Sequence, residues 1–201
     1  MPWFSADLHL HSCLSPCGDL DSSPSLIART AHQRGLDLIA LTDHNSALNA
    51  PAFAECCARN GISGIFGMEA TCAEEAHCLC LFAEVAADLD FGELLYAHLQ
   101  DLANDPLRWG DQVYVNADDE IEGEVEKLLI GATDLPLERL GQLVHERGGL
   151  FIPAHVDRSA FSLMSQLGFV PPGDYDALET YKDGASHFSV RLKPRRVPSD
   201  L

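Results

Sequence analysis

Five of the nine histidines in this 201-residue sequence stand where apolar runs begin or end, near an aspartate or glutamate. Asp7-Leu-His9-Leu-His11 closes the first run, Thr42-Asp43-His44 the second and Gly67-Met68-Glu69 the third. His77 opens a fourth, and Pro153-Ala154-His155 ends a later one. Imidazole and carboxylate are the ligand types suited to zinc, manganese or iron. On an extended segment side chains alternate with period 2, so His9 and His11 project to one side and can share one metal. Each feature also has a structural reading: a hydrogen-bonded strand-end histidine, a capping Glu69, an Asp43-His44 turn. Their recurrence at successive strand ends favours a joint metal site. His32, His98 and His145 fall on helical segments and are read as structural.

The elements that must position these residues alternate between strand and helix. Strands are expected near residues 3–9, 36–41, 62–68, 78–82 and 150–154, with one more starting at 176–179. Ser23 caps a helix with Pro24 at its first position, and Gly35 ends it. Further helices are expected at 51–60, ended by Gly61, within 91–103, at 137–147 and at 160–167. The strands are continuous apolar runs, which fits a parallel sheet with helical crossovers and both faces covered. A doubly wound open sheet and a TIM-like barrel both satisfy this. No GxGxxG follows the first strand, so the dinucleotide-binding version loses support. In parallel α/β folds the C-terminal rim of the strands is where active sites assemble.

Composition narrows the partners. Lys and Arg number 13 against 31 Asp and Glu, a formal charge of −18. Such a charge disfavours a surface built to neutralise nucleic-acid phosphates or an anionic membrane. Apolar residues make up 46% of the chain, enough for a sizeable core. The most apolar stretch, 78–87, is too short to span a bilayer and contains Glu84. The start lacks the pattern of a secretory signal, so a cytoplasmic location is expected. The 7 cysteines all precede residue 81 and form no CxxC pair. They are read as small buried thiols, with a metal role left open for Cys13 and Cys17. Residues 84–126 carry 13 acids and one base, Arg108, and are expected to be an excursion from the strand–helix rhythm. Residues 182–201 hold 5 of the 13 basic side chains and form an atypical basic tail to a domain at 1–181.

Taken together, Asp7-Leu-His9-Leu-His11-Ser12 with Ser15-Pro-Cys-Gly-Asp19, Leu41-Thr-Asp43-His44-Asn45, Gly67-Met-Glu69, Glu74-Glu-Ala-His77 and Ile152-Pro-Ala-His155 resemble the polymerase and histidinol phosphatase (PHP) superfamily. The resemblance covers roughly residues 4–179 and is specific as a set. It implies a distorted TIM-like (β/α)7 barrel with two or three divalent metal ions (zinc, manganese or iron) at its rim. The implied activity is phosphoester hydrolysis by metal-activated water. By the same resemblance His9 and His11 would bind one metal, Glu69 would bridge two, and His77 and His155 would complete the second. Asp19 and His44 would serve a third, and Asp43 would orient His44 or an incoming water. Arg158 could meet a substrate phosphate with its fork, or pair with Asp157.

The superfamily's closing Asp-x-His is missing after His155. The nearest text, Asp183-Gly-Ala-Ser-His187, has the wrong spacing, which leaves His187 as a doubtful ligand. The last strand or helix of the barrel is therefore expected to be absent or altered. Three functional readings follow. The first is a metal-dependent phosphoesterase acting on a small phosphate ester or nucleotide, favoured over long nucleic acid by the acidic surface. The second is a non-catalytic metal-binding or regulatory protein, supported by the missing motif. The third is a nuclease or proofreading-type domain, which would need a basic track. Substrate, metal identity and oligomeric state stay open.

Overall fold

The computed structural model describes residues 3–182 and 185–190, with Lys182 and 185–190 as backbone alone. The remaining tail residues, and with them most of the segment read as atypical, lie outside the described residues. The elements run β1 (Ala6–Leu10), α1 (Pro24–Gln33), β2 (Leu38–His44), α2 (Ala50–Asn60), β3 (Ser63–Thr71), β4 (His77–Phe82) and α3 (Val85–His98). They continue with α4 (Pro106–Trp109), β5 (Val113–Val115), β6 (Ile121–Glu124), α5 (Leu137–Glu146), β7 (Leu150–Pro153), α6 (Leu163–Leu167), β8 (Ala177–Lys182) and β9 (Ala185–Val190).

Local chemistry sets most boundaries. Leu26 N–H donates to the Ser23 hydroxyl and Pro24 fills the first helical position, so α1 starts there. Gly61, at φ +68°, ends α2 in the left-handed region that glycine adopts without cost. Ser162 and Ser165 form a reciprocal capping box that starts α6. Several boundaries differ from expectation: β2 and β3 run on to His44 and Thr71, and α6 starts at Leu163. β1 begins at Ala6 because Trp3 and Phe4 project into solvent. α3 starts at Val85 and stops at His98, since Leu99 turns extended and bridges to Thr133.

The fold is mixed α/β. Its main sheet has the order β1-β2-β3-β4-β7. β1, β2 and β3 are parallel, whereas β4 is antiparallel to both β3 and β7. The all-parallel expectation fails at β4 for a simple reason. Only residues 72–76 join it to β3, too few for a crossover helix, so the chain must turn back. Two separate pairs, β5-β6 and β8-β9, complete the described strands, so the hydrogen-bonded sheet has five strands rather than seven. β5-β6 lies in the acidic 84–126 segment, although α3 of that segment enters the core through Phe91 and Leu95.

Both faces of the main sheet are covered. On one, α1 and α2 pack Ala28, Phe53 and Cys57 against Ile39 and Leu41, while α3 and α5 cover Met68, Cys78, Cys80 and Phe151. On the other, Ala40, Leu79, Leu81, Ile152 and Ala177 form an inner cluster. Alternation along β3 and β4 sends Glu69 to this inner side, directly opposite Leu79, with His77 two residues earlier on β4. The functional residues therefore stand at one end of a buried apolar floor.

Candidate metal centre

Glu69 is the hub. Its carboxylate is buried and lies among five imidazoles drawn from four stretches of the chain. His9 Nε2 approaches Oε1 at 3.2 Å and His11 Nε2 approaches Oε2 at 3.2 Å. His77 Nδ1 and His155 Nε2 both reach Oε1 at 2.9 Å, and His44 Nδ1 lies 3.4 Å from Oε2. The rings pack on one another, with His9–His11 centroids 5.2 Å apart and His11–His44 4.7 Å apart. Simple alternation alone does not deliver His9. The β1–β2 register slips between Asp7 and Leu10; Leu8 packs with the inner cluster and Leu10 with the α1–α2 cluster. A bulge of this kind re-aims a side chain, here His9 towards Glu69.

A second layer fixes the rings. Glu179 on β8 is fully buried; its carboxylate meets His9 Nδ1 at 3.0 Å and accepts the His155 N–H at 2.9 Å. That leaves His9 Nε2 to face Glu69, the carboxylate–histidine arrangement that sets ring orientation at metal sites. Ser15 Oγ is a second relay. It donates to Asp43 Oδ1 at 2.7 Å, accepts the His44 N–H at 3.1 Å and meets His11 Nδ1 at 3.0 Å. Asp43 also accepts from Ser12 N–H at 2.7 Å and Ser12 Oγ at 2.6 Å, so it reaches the centre through Ser15 rather than by touching the His44 ring. Asn45 ties the ends of β2 and β3 to the loop carrying Ile130. Its Nδ2 donates to the Leu129 and Gly131 carbonyls, and its Oδ1 accepts the Thr71 N–H.

Asp19 is not brought to this cluster. It is exposed, and its Oδ1 accepts the Asp21 N–H within its own turn. Cys17 stands at the corresponding corner instead, with its Sγ within 4.8 Å of ligand atoms of His11 and His44. The tight Ser12–Gly18 turn explains the exchange. Gly18 N–H bonds to the Ser15 carbonyl, and a side chain at Gly18 would collide with the Ser12 carbonyl, so the loop folds back hard enough to present Cys17. Two further groups, His9–His11–Glu69 and His44–Glu69–His77, also place three ligand atoms within 4.8 Å of one another. His187 pairs with Thr180 in the β8–β9 register, and its side chain lies outside the described residues. His98 and His145, read as structural, bond instead to Asp134 and Asp176.

A cavity of about 370 Å³ opens over the cluster, bordered by Cys17, Ile130, Arg158, Phe161 and Tyr181. Arg158 lies over the Tyr181 ring at 5.6 Å, and Asp157 accepts the Tyr181 N–H at 2.6 Å. Phe161 stacks on His77 with centroids 5.0 Å apart and an 11° tilt. Its φ of +53° is strained for a bulky side chain, costing on the order of 1–3 kcal/mol. A larger groove of about 480 Å³, between α3 and the β5-β6 pair, holds two tyrosines and three glutamates but no histidine. Sequence reading did not identify Glu179 or Phe161. The only signal for Glu179 was an acid inside an apolar strand start, and nothing local marks Phe161.

The electrostatics test whether this set suits a cation. Burial penalises a charge on His9, yet hydrogen bonds and charge from Glu179 and Glu69 raise it to about 9. His11 is opposed by burial in the same way and raised to about 10 by Cys17 and Glu69. Burial pushes His44 down to about 3, with the neighbouring imidazoles adding to the effect of burial against Glu69. Glu69, despite burial, is held well below the usual carboxylate range by the imidazoles around it. Buried ring nitrogens of His44 (Nδ1), His77 (Nε2) and His155 (Nδ1) have no hydrogen-bond partner among the described residues. Imidazoles converging on one carboxylate, three of them with a buried ring nitrogen left unpaired, are the donor set that divalent cations satisfy, so the residues fit a metal centre.

A family model described as the PHP domain matches residues 7–193. The chain belongs to the PHP family. No curated protein matches this PHP chain in sequence. Among solved structures it is similar to the lesion-specific endonuclease PfuEndoQ from Pyrococcus furiosus, with 18% identity, TM-score 0.61 and 87% of this chain covered. A candidate metal-dependent phosphoesterase from Bifidobacterium adolescentis follows at 17% identity, TM-score 0.59 and 89% coverage of this chain and 77% of that one. Endonuclease Q bound to a 27-mer duplex with an abasic lesion gives 20% identity, TM-score 0.59 and 87% coverage. The PHP chain spans only 41% and 42% of the two endonuclease chains, and identities this low show shared fold alone. No described helix is long and apolar enough to cross a membrane.

Proposed function

We propose that this PHP chain is a metal-dependent phosphoesterase acting on a small phosphate ester or nucleotide. The observation that carries the reading is the convergence of five imidazoles on one buried carboxylate, beneath a cavity whose mouth bears an arginine. His9, His11, Glu69, His77 and His155 would hold two divalent ions, and His44 with Cys17 would serve a third. Bound cations supply positive charge and Lewis acidity for attack of water on phosphorus. Glu69 offers one oxygen to each side of the cluster. Glu179 and Ser15 hold His9 and His11 in the orientation that exposes Nε2. Arg158 presents a guanidinium fork to the phosphate oxygens. The domain reading, a PHP-type barrel at 1–181 altered at its closing strand with a basic tail at 182–201, belongs to the same proposal.

The test is chelator stripping, reconstitution with zinc, manganese or iron, elemental analysis and a panel of phosphate esters including a DNA duplex. At least one metal per chain is expected, with turnover of small esters. Glu69→Gln should lower turnover by about 100-fold or more and reduce metal content. Less than one metal per chain after reconstitution refutes the reading. Full metal content without turnover favours the second reading, a non-catalytic metal-binding protein, which the missing Asp-x-His after His155 supports.

A further inference from the structure

We infer that Phe161 is a stacking platform that selects esters whose organic part carries a flat aromatic ring, of the nucleotide kind, over esters of aliphatic alcohols. The inference rests on the phosphoester reading above and names the substrate class for that site.

Three observations carry it. First, Phe161 occupies a left-handed backbone conformation, φ +53°, which glycine or asparagine would adopt with less strain. The position is over-determined from both sides. Its carbonyl accepts the His77 N–H at 3.0 Å, and the next residue, Ser162, is locked in a capping box and donates to the Arg158 carbonyl at 2.6 Å. A phenyl ring kept where the backbone resists it points to a use for the ring.

Second, that use is not core packing. Phe161 is 45% exposed, whereas Phe91 and Phe151 are 0% and 1% exposed. One of its faces lies flat on His77, and the residue borders the cavity. Third, the cavity mouth is chemically divided. The imidazole–carboxylate cluster and Arg158 suit a phosphate, while Phe161, Ile130 and the Tyr181 ring offer apolar and π surface. A phosphate held at the cluster would direct its ester group out through this mouth, which Phe161 borders. The cavity of about 370 Å³ is in the size class of small-molecule sites, roughly 300–1,000 Å³, and leaves room beyond a phosphate. Stacking on an aromatic face tolerates any base and rejects none by hydrogen bonding. Selection is therefore for flatness and not for one base.

The experiment uses the metal-reconstituted full chain and compares kcat/KM for adenosine monophosphate with that for glycerol phosphate. Both esters share the metal chemistry, so their ratio isolates the platform. The ratio should favour the nucleotide by about tenfold or more. Phe161→Leu should bring it close to one, Phe161→Gly, which fits the backbone, should do the same, and Phe161→Tyr should keep it. A ratio unchanged in Phe161→Leu and Phe161→Gly, or a wild-type ratio near one, overturns the inference while leaving the hydrolytic reading intact. If neither ester is hydrolysed, the hydrolytic reading falls alone, and calorimetric binding of an adenosine phosphonate against an alkyl phosphonate decides. Preference for the nucleoside compound that is lost in Phe161→Leu supports the platform; equal binding overturns it.

Discussion

Replacing Asp43 by asparagine should destabilise the fold and loosen the centre together, and the size of the effect follows from counting lone pairs. Asp43 is buried and its two oxygens receive three short bonds, of 2.7, 2.6 and 2.7 Å, from Ser12 N–H, Ser12 Oγ and Ser15 Oγ. Such lengths are those of charge-assisted bonds. Asparagine keeps one acceptor oxygen. Placed at the Oδ1 position, it retains Ser12 N–H and Ser15 Oγ but turns its amide N–H on Ser12 Oγ. That hydroxyl has two lone pairs, and it already accepts from Leu14 N–H at 3.3 Å and Asn49 Nδ2 at 2.9 Å. At least one donor is therefore stranded in a buried site, at about 1–3 kcal/mol, since the Ser12 O–H loses its acceptor as well, and two bonds lose their charge assistance. The total is about 2–5 kcal/mol. Urea unfolding of the metal-free protein measures it, with an unchanged m-value confirming that the native state is what changed. Because Ser15 also touches His11 and the His44 backbone, metal affinity should fall as well. A loss below about 0.5 kcal/mol would refute the lone-pair argument.

Three further predictions stand on separate observations. Asp88 is buried with neither oxygen bonded among the described residues, and burial, aided by the Asp43 charge, raises its carboxyl well above 3.8. The native state then keeps a proton that the unfolded chain releases, so stability should fall as pH rises through the window between 3.8 and the raised value, by about 1.4 kcal/mol per pH unit. Asp88→Asn should flatten that slope and be more stable than the wild type near neutrality; parallel pH profiles in urea would contradict this. Cobalt(II)-loaded protein should show near-ultraviolet thiolate-to-metal absorption that Cys17→Ser abolishes while other metal positions stay filled; a spectrum indifferent to the substitution removes Cys17 from the centre. Finally, a Cβ at Gly67 would strike the Cys80 carbonyl on β4, so Gly67→Ala should cost about 1–3 kcal/mol by parting β3 from β4, and a melting temperature equal to the wild type would count against that contact.

What the sequence by itself determined is whatever depends on short range. Serine, proline and glycine placed the ends of α1 and α2, because capping and left-handed turns are decided within a few residues. Apolar runs located the strands, and the acids and histidines at their ends marked the ring of residues that meets at Glu69. The same text carried the PHP resemblance that the family match establishes. What only the tertiary structure decided depends on distant partners or on the path of the backbone. β4 runs antiparallel because the Cys72–Ala76 connection is short, a fact of topology that its apolar sequence does not encode. Cys17 displaces Asp19 from the centre because Gly18 lets the loop pack on the Ser12 carbonyl. Glu179 reaches His9 across 170 positions of chain, and its role exists only once β8 closes against β7. Phe161, in the loop before α6, has its backbone held by the hydrogen bond from His77 on β4. Residue type and local spacing mark the candidate ligands, but orienting them, and choosing what the cavity can hold beside them, requires contacts whose separation in sequence no periodicity can register.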